Sequence, residues 1–210
     1  MLTRRDILQK CVALGSVAIA PHFCPEAMLA VFQEREKQVR KPTPPDVLGP
    51  FYKRLTPMNN MLRAPGDPGV PLTLSGQVFN TRGDILPDAI IEIWQANHQG
   101  YYDLDGYRYR GKLQTDNSGA YGFESVIPGH YPDKSRICQH THYLVIAPGH
   151  KTLVTQLYFA TDPVFEGDPA KNYSRDPLIE SPELIRPVML TGDPNEVHAK
   201  VQFELCLELL

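Results

Sequence analysis

Residues 72–94 carry the clearest indication of secondary structure in this 210-residue chain. They read Leu72-Thr-Leu-Ser-Gly-Gln-Val-Phe79, then Asn80-Thr-Arg-Gly-Asp84 and, after four intervening residues, Ala89-Ile-Ile-Glu-Ile-Trp94. The first run alternates apolar and polar residues, the second has a turn composition, and the third is rich in β-branched residues, which is typical of two strands joined by a turn. Similar short runs follow at 121–126, 142–147, 153–160 and 197–207. The pattern predicts an all-β fold, an antiparallel β-sandwich with long loops.

The composition limits the size of the fold and excludes several partners. Hydrophobic residues make up 42% and charged residues 21% of the chain, enough for one sizeable core in one domain, or at most two. The 20 prolines, roughly twice the usual share, argue against a helix-rich fold. Because Lys and Arg (21) do not exceed Asp and Glu (24), the formal charge of −3 makes nucleic acid and anionic membranes poor partners.

The N-terminus has the pattern of an export signal. Arg4 and Arg5 precede an uncharged run at residues 11–20, as in the charged and apolar regions of such signals. This run is too short to cross a bilayer, which takes about 20 residues. The paired arginines resemble a twin-arginine signal, so we expect residues 1–30 to direct the chain to the bacterial periplasm and to leave no stable membrane anchor after removal. The alternative is an amphipathic N-terminal helix that stays attached.

Residues 31–71 differ in composition from the residues after them. They are charged at 34–40 and contain eight prolines at 42–71, which excludes a helix or a central strand. We therefore predict an arm at 31–71 that runs extended over the surface of a β-sandwich domain at 72–210. The polar segment at 162–183, rich in Asp and Pro, predicts a long loop.

Two cysteines, Cys138 and Cys206, lie in the body of the chain. An oxidising compartment would let them form a disulfide. Two free buried thiols are the alternative, because spacing does not show whether the two Cα atoms come within about 7 Å. The sequence leaves both open.

His140-Thr-His142 is the most specific local motif. Residues i and i+2 of a strand point to the same face, so the two imidazoles could share one metal ion. A copper or zinc site would need a further His, Cys or carboxylate, for which His130 and His150 are the candidates. By itself, the motif leaves the identity of the metal open.

Tyrosine is the other abundant polar residue type, with ten copies. Two stand in turn-like settings, Tyr102 after Trp94-Gln-Ala-Asn-His-Gln-Gly, and Tyr131 within Pro128-Gly-His-Tyr-Pro132. Most tyrosines are packing residues, but a hard trivalent ion favours anionic oxygen and can ionise a phenol whose pKa is near 10. Two phenolates and one hydroxide would balance Fe(III), and two neutral imidazoles would complete its coordination.

Seven short motifs occur in order along the chain. They are Gly49-Pro-Phe-Tyr52, Glu92-Ile-Trp-Gln-Ala-Asn97, Gly100-Tyr-Tyr102, Thr115-Asp-Asn-Ser-Gly-Ala-Tyr-Gly-Phe123, Ile127-Pro-Gly-His-Tyr-Pro132, His140-Thr-His142 and Thr155-Gln-Leu-Tyr-Phe159. In these motifs the chain resembles the intradiol ring-cleavage dioxygenases, most nearly the protocatechuate 3,4-dioxygenase type. The resemblance covers about residues 47–161 and extends to the last strand, at 201–207.

That resemblance implies a β-sandwich core with mononuclear non-haem Fe(III) held by two tyrosines and two histidines, here Tyr102, Tyr131, His140 and His142. It also implies that a small catechol-type aromatic diol and O₂ react at this site. The ring would be cleaved between its two hydroxylated carbons to give a cis,cis-muconate-type diacid. Tyr131 would leave the metal when the diol binds and accept one of its protons.

Two further residues correspond to substrate-side positions of the family. The family's arginine stands in Arg-Pro-x-His-x-His, whereas here Arg136 lies one residue farther from His140 and the proline is missing. Either a local bulge restores the guanidinium to the substrate ring, where it would stabilise developing negative charge, or the role is lost. Gln156 corresponds to a glutamine near the reacting carbon, and a surface or sheet-edge amide is the alternative.

Two other functions stay open at this point. A non-catalytic β-sandwich module could use the aromatic loops to hold a ligand, and a copper or zinc enzyme could use His140 and His142. The resemblance leaves the ring substituents of the substrate open. It admits either a homo-oligomer or a hetero-oligomer with a related chain.

Overall fold

A computed structural model describes residues 38–132, 134, 136–193 and 196–210. The predicted export signal at 1–30 lies outside these residues and stays a prediction, as does the division into an arm and a β-sandwich domain between residues 71 and 72. Within the described part of the chain, no helix has both the length and the apolar composition that a membrane crossing requires.

The described residues form two five-stranded sheets. The first contains β1 (Pro71–Asn80), β4 (Ala120–Val126), β8 (Met189–Thr191), β9 (His198–Gln202) and β10 (Leu205–Leu207). The second contains, in spatial order, β3 (Arg110–Gln114), β2 (Ile90–Gln95), β5 (His140–Ile146), β6 (Leu153–Phe159) and β7 (Ile185–Arg186). The predicted β-sandwich is confirmed.

Both sheets are mixed, whereas the sequence predicts antiparallel pairing. β1 pairs antiparallel with β4, but it pairs parallel with β9 over residues 72–75 and with β10 over residues 78–80. β6 also pairs parallel with β7. Parallel neighbours need long connections, and these strands return from far along the chain. Local patterning indicates that a strand forms, but not which distant strand becomes its partner.

The core lies between the two sheets because apolar residues alternate along the strands. Leu74 of β1 and Ile91 of β2 belong to one buried cluster with Tyr143 of β5. The Tyr143 ring packs edge-on against Phe203, with 5.3 Å between centroids. Side chains alternate between the two faces of a strand, so the neighbours of Tyr143 at positions 140 and 142 lie on the outer face of the second sheet.

The arm at residues 38–70 contains neither a helix nor a regular strand. Part of it covers the free edges of both sheets. The amide of Asn59 donates to the carbonyl of Lys112 on β3 (3.1 Å), and the amide of Leu62 donates to the carbonyl of Glu124 on β4 (2.8 Å). Unpaired strand edges invite association with other chains. The arm therefore satisfies edge groups of one strand in each sheet.

The polar segment after β6 contains short helical turns, where the sequence predicts a loop. They are 3-10 turns at Pro163–Phe165, Tyr173–Arg175 and Pro182–Leu184 and the short helix α1 at Pro169–Asn172. Asp162 accepts from the amide of Val164 (2.8 Å) and Asp168 from the amide of Lys171 (3.2 Å). The Asp and Pro residues that predict a loop thus act as N-caps and first-turn residues.

Cys138 and Cys206 are both buried and free. Of the two alternatives that the sequence leaves open, the structure has two separate thiols. Burial raises the pKa of Cys138, so its thiolate, the reactive form, is disfavoured.

The placement of the core predicts the effect of truncating two leucines in the first sheet. Leu74 is fully buried in β1, whereas Leu190 in β8 is 60% exposed. Leu74→Ala should lower the free energy of unfolding by about 2–5 kcal/mol, because it removes buried methyl groups and leaves a cavity. Leu190→Ala should change it by less than about 0.5 kcal/mol. Urea unfolding followed by circular dichroism measures both, and equal losses would contradict this core.

Candidate metal centre

His140 and His142 occupy one face of β5, as the spacing predicts. They are 6% and 3% exposed, and their ring centroids are 4.8 Å apart with planes at 87°. Trp94 of β2, the cross-strand partner of His142, stacks flat on the His142 ring with 4.9 Å between centroids and 3° between planes. The only tryptophan is therefore a buried packing residue that supports an imidazole.

A backbone hydrogen bond sets the tautomer of His140. Its Nδ1 lies 2.7 Å from the carbonyl oxygen of Cys138. A carbonyl can only accept, so Nδ1 donates and Nε2 is left with a lone pair. Burial lowers the pKa of both histidines, and the neighbouring His140 lowers the pKa of His142 further. Both rings are therefore neutral at neutral pH, which is the form that binds a metal ion.

Tyr102 and Tyr131 come from two loops, one between β2 and β3 and one between β4 and β5. The loops meet because Gly100 packs directly on the second one. Its φ is +86°, and a Cβ there would lie 1.7 Å from the carbonyl oxygen of His130, so only glycine fits. Phe51 from the arm stacks on the Tyr102 ring, with 4.2 Å between the two centroids.

Three donor atoms converge at the meeting point of these loops with β5. The Tyr102 hydroxyl lies 3.2 Å from the Tyr131 hydroxyl and 3.3 Å from His140 Nε2, and the Tyr131 hydroxyl lies 3.0 Å from the same nitrogen. His142 lines the same cavity, and its buried Nδ1 has no hydrogen-bond partner among the described residues. Burial raises the pKa of both phenols, so each keeps its proton unless a cation displaces it.

This donor set fits a metal ion. Ligand atoms bound to one ion at about 2.0–2.1 Å and at right angles are about 3 Å apart, and the three donors here are 3.0–3.3 Å apart. Phenolate oxygen is a hard anionic ligand that suits a trivalent cation. The two neutral imidazoles add donors without adding charge.

The copper or zinc alternative lacks its third ligand. Across the described ranges, no three or more His, Cys, Asp and Glu side chains gather into a group that could hold a metal ion. His130 Nε2 lies 3.3 Å from Asp162 Oδ2, and His150 Nδ1 forms a hydrogen bond with the carbonyl oxygen of Pro148. Neither candidate histidine is among the described residues that line the cavity beside His140.

A cavity of about 640 Å³ opens beside the four side chains. Its walls are mostly apolar and include Val47, Pro50, Phe51, Leu104, Ile137 and Leu178. Gly49, at φ +71°, lets the arm pass over His142, since a Cβ there would lie 3.0 Å from the Cε1 atom of that ring. Apolar walls of this kind accept the flat face of an aromatic ring and keep water from it.

Gln156 is opposite His142 in the pairing of β6 with β5 and lines the cavity. Its side-chain nitrogen lies 3.0 Å from the carbonyl oxygen of Val47 and 3.1 Å from Asp46 Oδ1. Because the Val47 carbonyl can only accept, the NH₂ group faces the arm. Among the described residues, no group donates to the opposite atom, Oε1. Gln156 is thus a buried, fixed hydrogen-bond acceptor, not a surface amide.

The described residues that line this cavity do not include Arg136, for which the sequence left both a substrate contact and a lost role open. Arg136 is exposed and lines a separate cleft of about 560 Å³ with Pro163, Val164, Glu166 and Arg175. The residues between it and β5 are held by buried carboxylates, as Asp176 accepts from the amide of Cys138 and Asp162 from the amide of Gln139, both at 2.7 Å. The arrangement does not support a substrate contact for Arg136.

Sequence reasoning overlooked two groups beside the site, the half-buried Asp46 and the buried Arg110. Asp46 in the arm accepts from Gln156 and from the Tyr158 hydroxyl (3.0 Å). Arg110, the first residue of β3, lies with its Cζ 5.9 Å from the centroid of the Tyr102 ring. No local motif marks either residue, because each reaches the site only through the fold. A contact of Phe51 with the site could have been predicted from the sequence, because this residue lies in the motif Gly49-Pro-Phe-Tyr52.

Comparisons with known proteins agree with this architecture. Residues 47–208 match the model of a family described as dioxygenase. Catechol 1,2-dioxygenase 2 of Acinetobacter lwoffii is 31% identical over 164 residues, which is 64% of this chain and 58% of that protein. Hydroxyquinol 1,2-dioxygenase of Nocardioides simplex is 31% identical over 185 residues, 77% of this chain and 63% of that protein. The chain thus matches about six tenths of the length of these curated relatives.

Solved structures share the fold. The dioxygenase domain of a dioxygenase and carbohydrate-binding protein fusion from Streptomyces sp. SirexAA-E is 32% identical, with a TM-score of 0.68 over 81% of this chain and 100% of that chain. A 3-chlorocatechol 1,2-dioxygenase from Rhodococcus opacus 1CP, 21% identical, has a TM-score of 0.70 over 88% of this chain and 78% of that chain. The family match begins in the arm and ends just after β10, so it covers more than half of the chain. The chain therefore belongs to the intradiol ring-cleavage dioxygenase family.

Proposed function

We propose that this chain holds Fe(III) through Tyr102, Tyr131, His140 and His142 and, with it, cleaves a catechol-type aromatic diol between its two hydroxylated carbons. One observation carries the proposal: two phenol oxygens and an imidazole nitrogen lie within 3.0–3.3 Å of one another beside a cavity with apolar walls. The relatives named catechol and hydroxyquinol 1,2-dioxygenase support the same class of reaction. When bound, Fe(III) would supply the Lewis acidity and electron acceptance that let the diol react with O₂ and open to a cis,cis-muconate-type diacid.

The protein's own groups would bind and orient the diol. Phe51, Pro50 and Ile137 offer apolar contact to the faces of the ring and exclude water from it. Gln156 Oε1 would accept a hydrogen bond from a diol hydroxyl, because the NH₂ group of this amide is held by Asp46 and Val47.

Tyr131 would hold a proton during the reaction. Burial raises the pKa of its phenol, so a Tyr131 oxygen that is not bound to a cation is protonated at neutral pH. The corresponding phenolate is a base strong enough to take a proton from a diol hydroxyl within hydrogen-bond reach. His140 and His142 stay neutral, because burial lowers the pKa of each.

The cavity walls also support a substrate class. Lys134, which is exposed, is the one Lys or Arg among the described residues that line the cavity, and no Asp or Glu is among them. We propose a small aromatic diol with O₂ as co-substrate, and the ring substituents are to be found by experiment. Assembly as a homo-oligomer or hetero-oligomer stays a prediction.

Metal analysis with a visible spectrum, followed by oxygen uptake, tests the proposal. The purified protein should contain iron, show the burgundy colour of tyrosinate-to-Fe(III) charge transfer, and take up O₂ with at least one of catechol, protocatechuate, hydroxyquinol and gallate. Colourless protein inactive on all four would indicate a ligand-binding module. Copper or zinc without a tyrosinate band would indicate the other alternative.

Removing single ligands should remove the iron. Tyr102→Phe and His142→Ala should each abolish iron retention or turnover, because each deletes one of four donors. Tyr101→Phe is the matched control, since it deletes the hydroxyl of an adjacent tyrosine that is 57% exposed, and it should keep both the iron and the visible band. Iron per chain and the spectrum measure the outcome, and full activity in either ligand variant would refute the assignment.

Iron retention should fall as the pH is lowered. Burial raises the pKa of Tyr102 and Tyr131, so each phenol must lose a proton to bind iron, and the apparent affinity should drop by up to about 100-fold per pH unit. A chelator challenge between pH 8 and pH 6 measures this. Tyr131→Phe has one phenol fewer to deprotonate. With the same chelator, its apparent iron affinity should therefore drop by a factor per pH unit that is about ten times smaller than in the wild type. Equal slopes would contradict two phenolate ligands.

The acceptor on Gln156 should matter for turnover and not for iron. Gln156→Met removes the amide oxygen, and kcat/KM should fall by about tenfold or less, since one neutral hydrogen bond is worth roughly 0.5–1.5 kcal/mol. Gln114→Met, at the exposed end of β3, is the control. Iron content should be unchanged in both variants. Loss of iron in Gln156→Met, or unchanged kcat/KM, would contradict the assigned role.

A further inference from the structure

Arg110 is a buried cation beside the proposed metal site. It is 1% exposed, and it is among the largest fully buried side chains of the described residues. Its Nη1 donates to the carbonyl of Phe51 (2.7 Å), its Nη2 donates to the carbonyl of Asp103 (3.2 Å), and its Nε has no hydrogen-bond partner in the described structure. Burying a guanidinium is costly, so its position calls for a physical reason.

The two carbonyls that Arg110 binds flank Tyr102. Asp103 follows Tyr102 directly, and the ring of Phe51 stacks on the Tyr102 ring at 4.2 Å between centroids and 18° between planes. The guanidinium carbon lies 5.9 Å from the Tyr102 ring centroid, within the range of a cation–π contact. The Arg110 side chain thus binds the backbone of Phe51, which stacks on the Tyr102 ring, and of Asp103, which follows Tyr102. It also places a positive charge near the face of the Tyr102 ring.

No carboxylate in the described structure forms an ion pair with Arg110. The nearby Asp103 carboxylate accepts instead from the amides of Gly106 (2.8 Å) and Arg108 (2.9 Å). The guanidinium therefore lies 5.9 Å from the Tyr102 ring centroid without a carboxylate in ion-pair contact, and it would attract the negative charge of a ligand oxygen at this position.

A second cation, Lys53, binds the loop between β2 and β3 that carries Tyr102. Lys53 Nζ donates to the carbonyls of Leu104 (3.0 Å), Asp105 (3.1 Å) and Gly106 (2.9 Å). The carbonyls that follow Tyr102 are therefore held from two sides by side chains that can only donate. A lysine at position 110 would keep the charge but not this arrangement, because Arg110 reaches the two carbonyls with two different nitrogens of its planar fork, and an ammonium has only one nitrogen.

We propose that Arg110 is a positioning residue for the proposed reaction, which clamps Phe51 and Asp103 on the two sides of Tyr102 and presents a positive charge to this ligand. The inference rests on the proposed function. It places a cation beside the site at the first residue of β3, whereas the exposed Arg136 lines a separate cleft.

Two variants and a matched control test the proposal. Arg110→Met removes the charge and the clamp, whereas Arg110→Lys keeps a charge but loses the two-carbonyl fork. Arg108→Lys is the control, because Arg108 lies two residues earlier and also has its Cζ near a tyrosine ring (5.6 Å from Tyr109), yet its side chain is 62% exposed and pairs with Asp67.

The visible spectrum of the iron-loaded protein separates the roles. Losing a cation near a phenolate raises the energy of its electrons, so the tyrosinate-to-Fe(III) band should move to longer wavelength in Arg110→Met. It should stay near the wild-type position in Arg108→Lys. The kcat of Arg110→Met should fall by at least about tenfold, since small misplacements of reacting groups cost rate steeply, and Arg110→Lys should be intermediate.

Hydrogen exchange of the iron-free protein tests the clamp without iron. Amides at residues 51–53 and 102–106 should exchange faster in both Arg110 variants and at the wild-type rate in Arg108→Lys. The proposal would be overturned if folded Arg110→Met or Arg110→Lys had the hydrogen exchange, the band position and the kcat of the wild type. It would also be overturned if either variant were less stable but kept the wild-type band and the wild-type kcat per iron. If Arg110→Met does not fold, Arg110→Lys decides. Failure of the proposed function is seen separately, as a wild-type protein without the tyrosinate band.

Discussion

The contact between Gly100 and the carbonyl of His130 is the constraint on which the site depends. It brings together two loops that lie about thirty residues apart, and with them two phenols that end 3.2 Å from each other. Each of the four gathered side chains is neutral in the absence of a cation, since burial raises the pKa of the phenols and lowers that of the imidazoles. Neutral groups cost less to bury than charged ones, and Tyr102, Tyr131 and His140 also lie within hydrogen-bond distance of one another. In the proposed function, a trivalent ion would displace the phenol protons, and the same set would supply two anionic and two neutral ligands.

The arm is part of the functional unit, although its composition sets it apart. Phe51 stacks on Tyr102, Gly49 passes over His142, and Asp46 accepts from the side-chain NH₂ group of Gln156. The same segment satisfies edge groups of β3 and β4 through Asn59 and Leu62. The family match also begins at residue 47, within the arm. Residues on both sides of the predicted boundary at residue 71 therefore line the cavity.

The segment between β6 and β7 holds the backbone that leads into His140. Buried Asp162 and Asp176 hold the amides of Gln139 and Cys138, and the carbonyl of Cys138 in turn accepts from His140 Nδ1. A hydrogen-bonded partner on the far nitrogen of a ligating histidine fixes its tautomer and its orientation. This segment thus supports the proposed ligand His140 without contributing a donor atom itself. The residues that cap its short helical turns include Asp162 and Asp168, although Asp-rich composition predicts an irregular loop.

The amino-acid sequence by itself determined the β-sandwich, the shared face of His140 and His142, and the motifs that single out Tyr102 and Tyr131. These follow from the two-residue period of a strand and from short motifs, which act over a few residues. Only the tertiary structure decided that β1 pairs parallel with β9 and β10, that Arg136 lies outside the cavity, that Gln156 presents an oxygen, and that Arg110 is buried beside Tyr102. Each of these depends on hydrogen bonds and burial between residues far apart in the chain, and such contacts exist only once the whole chain has folded.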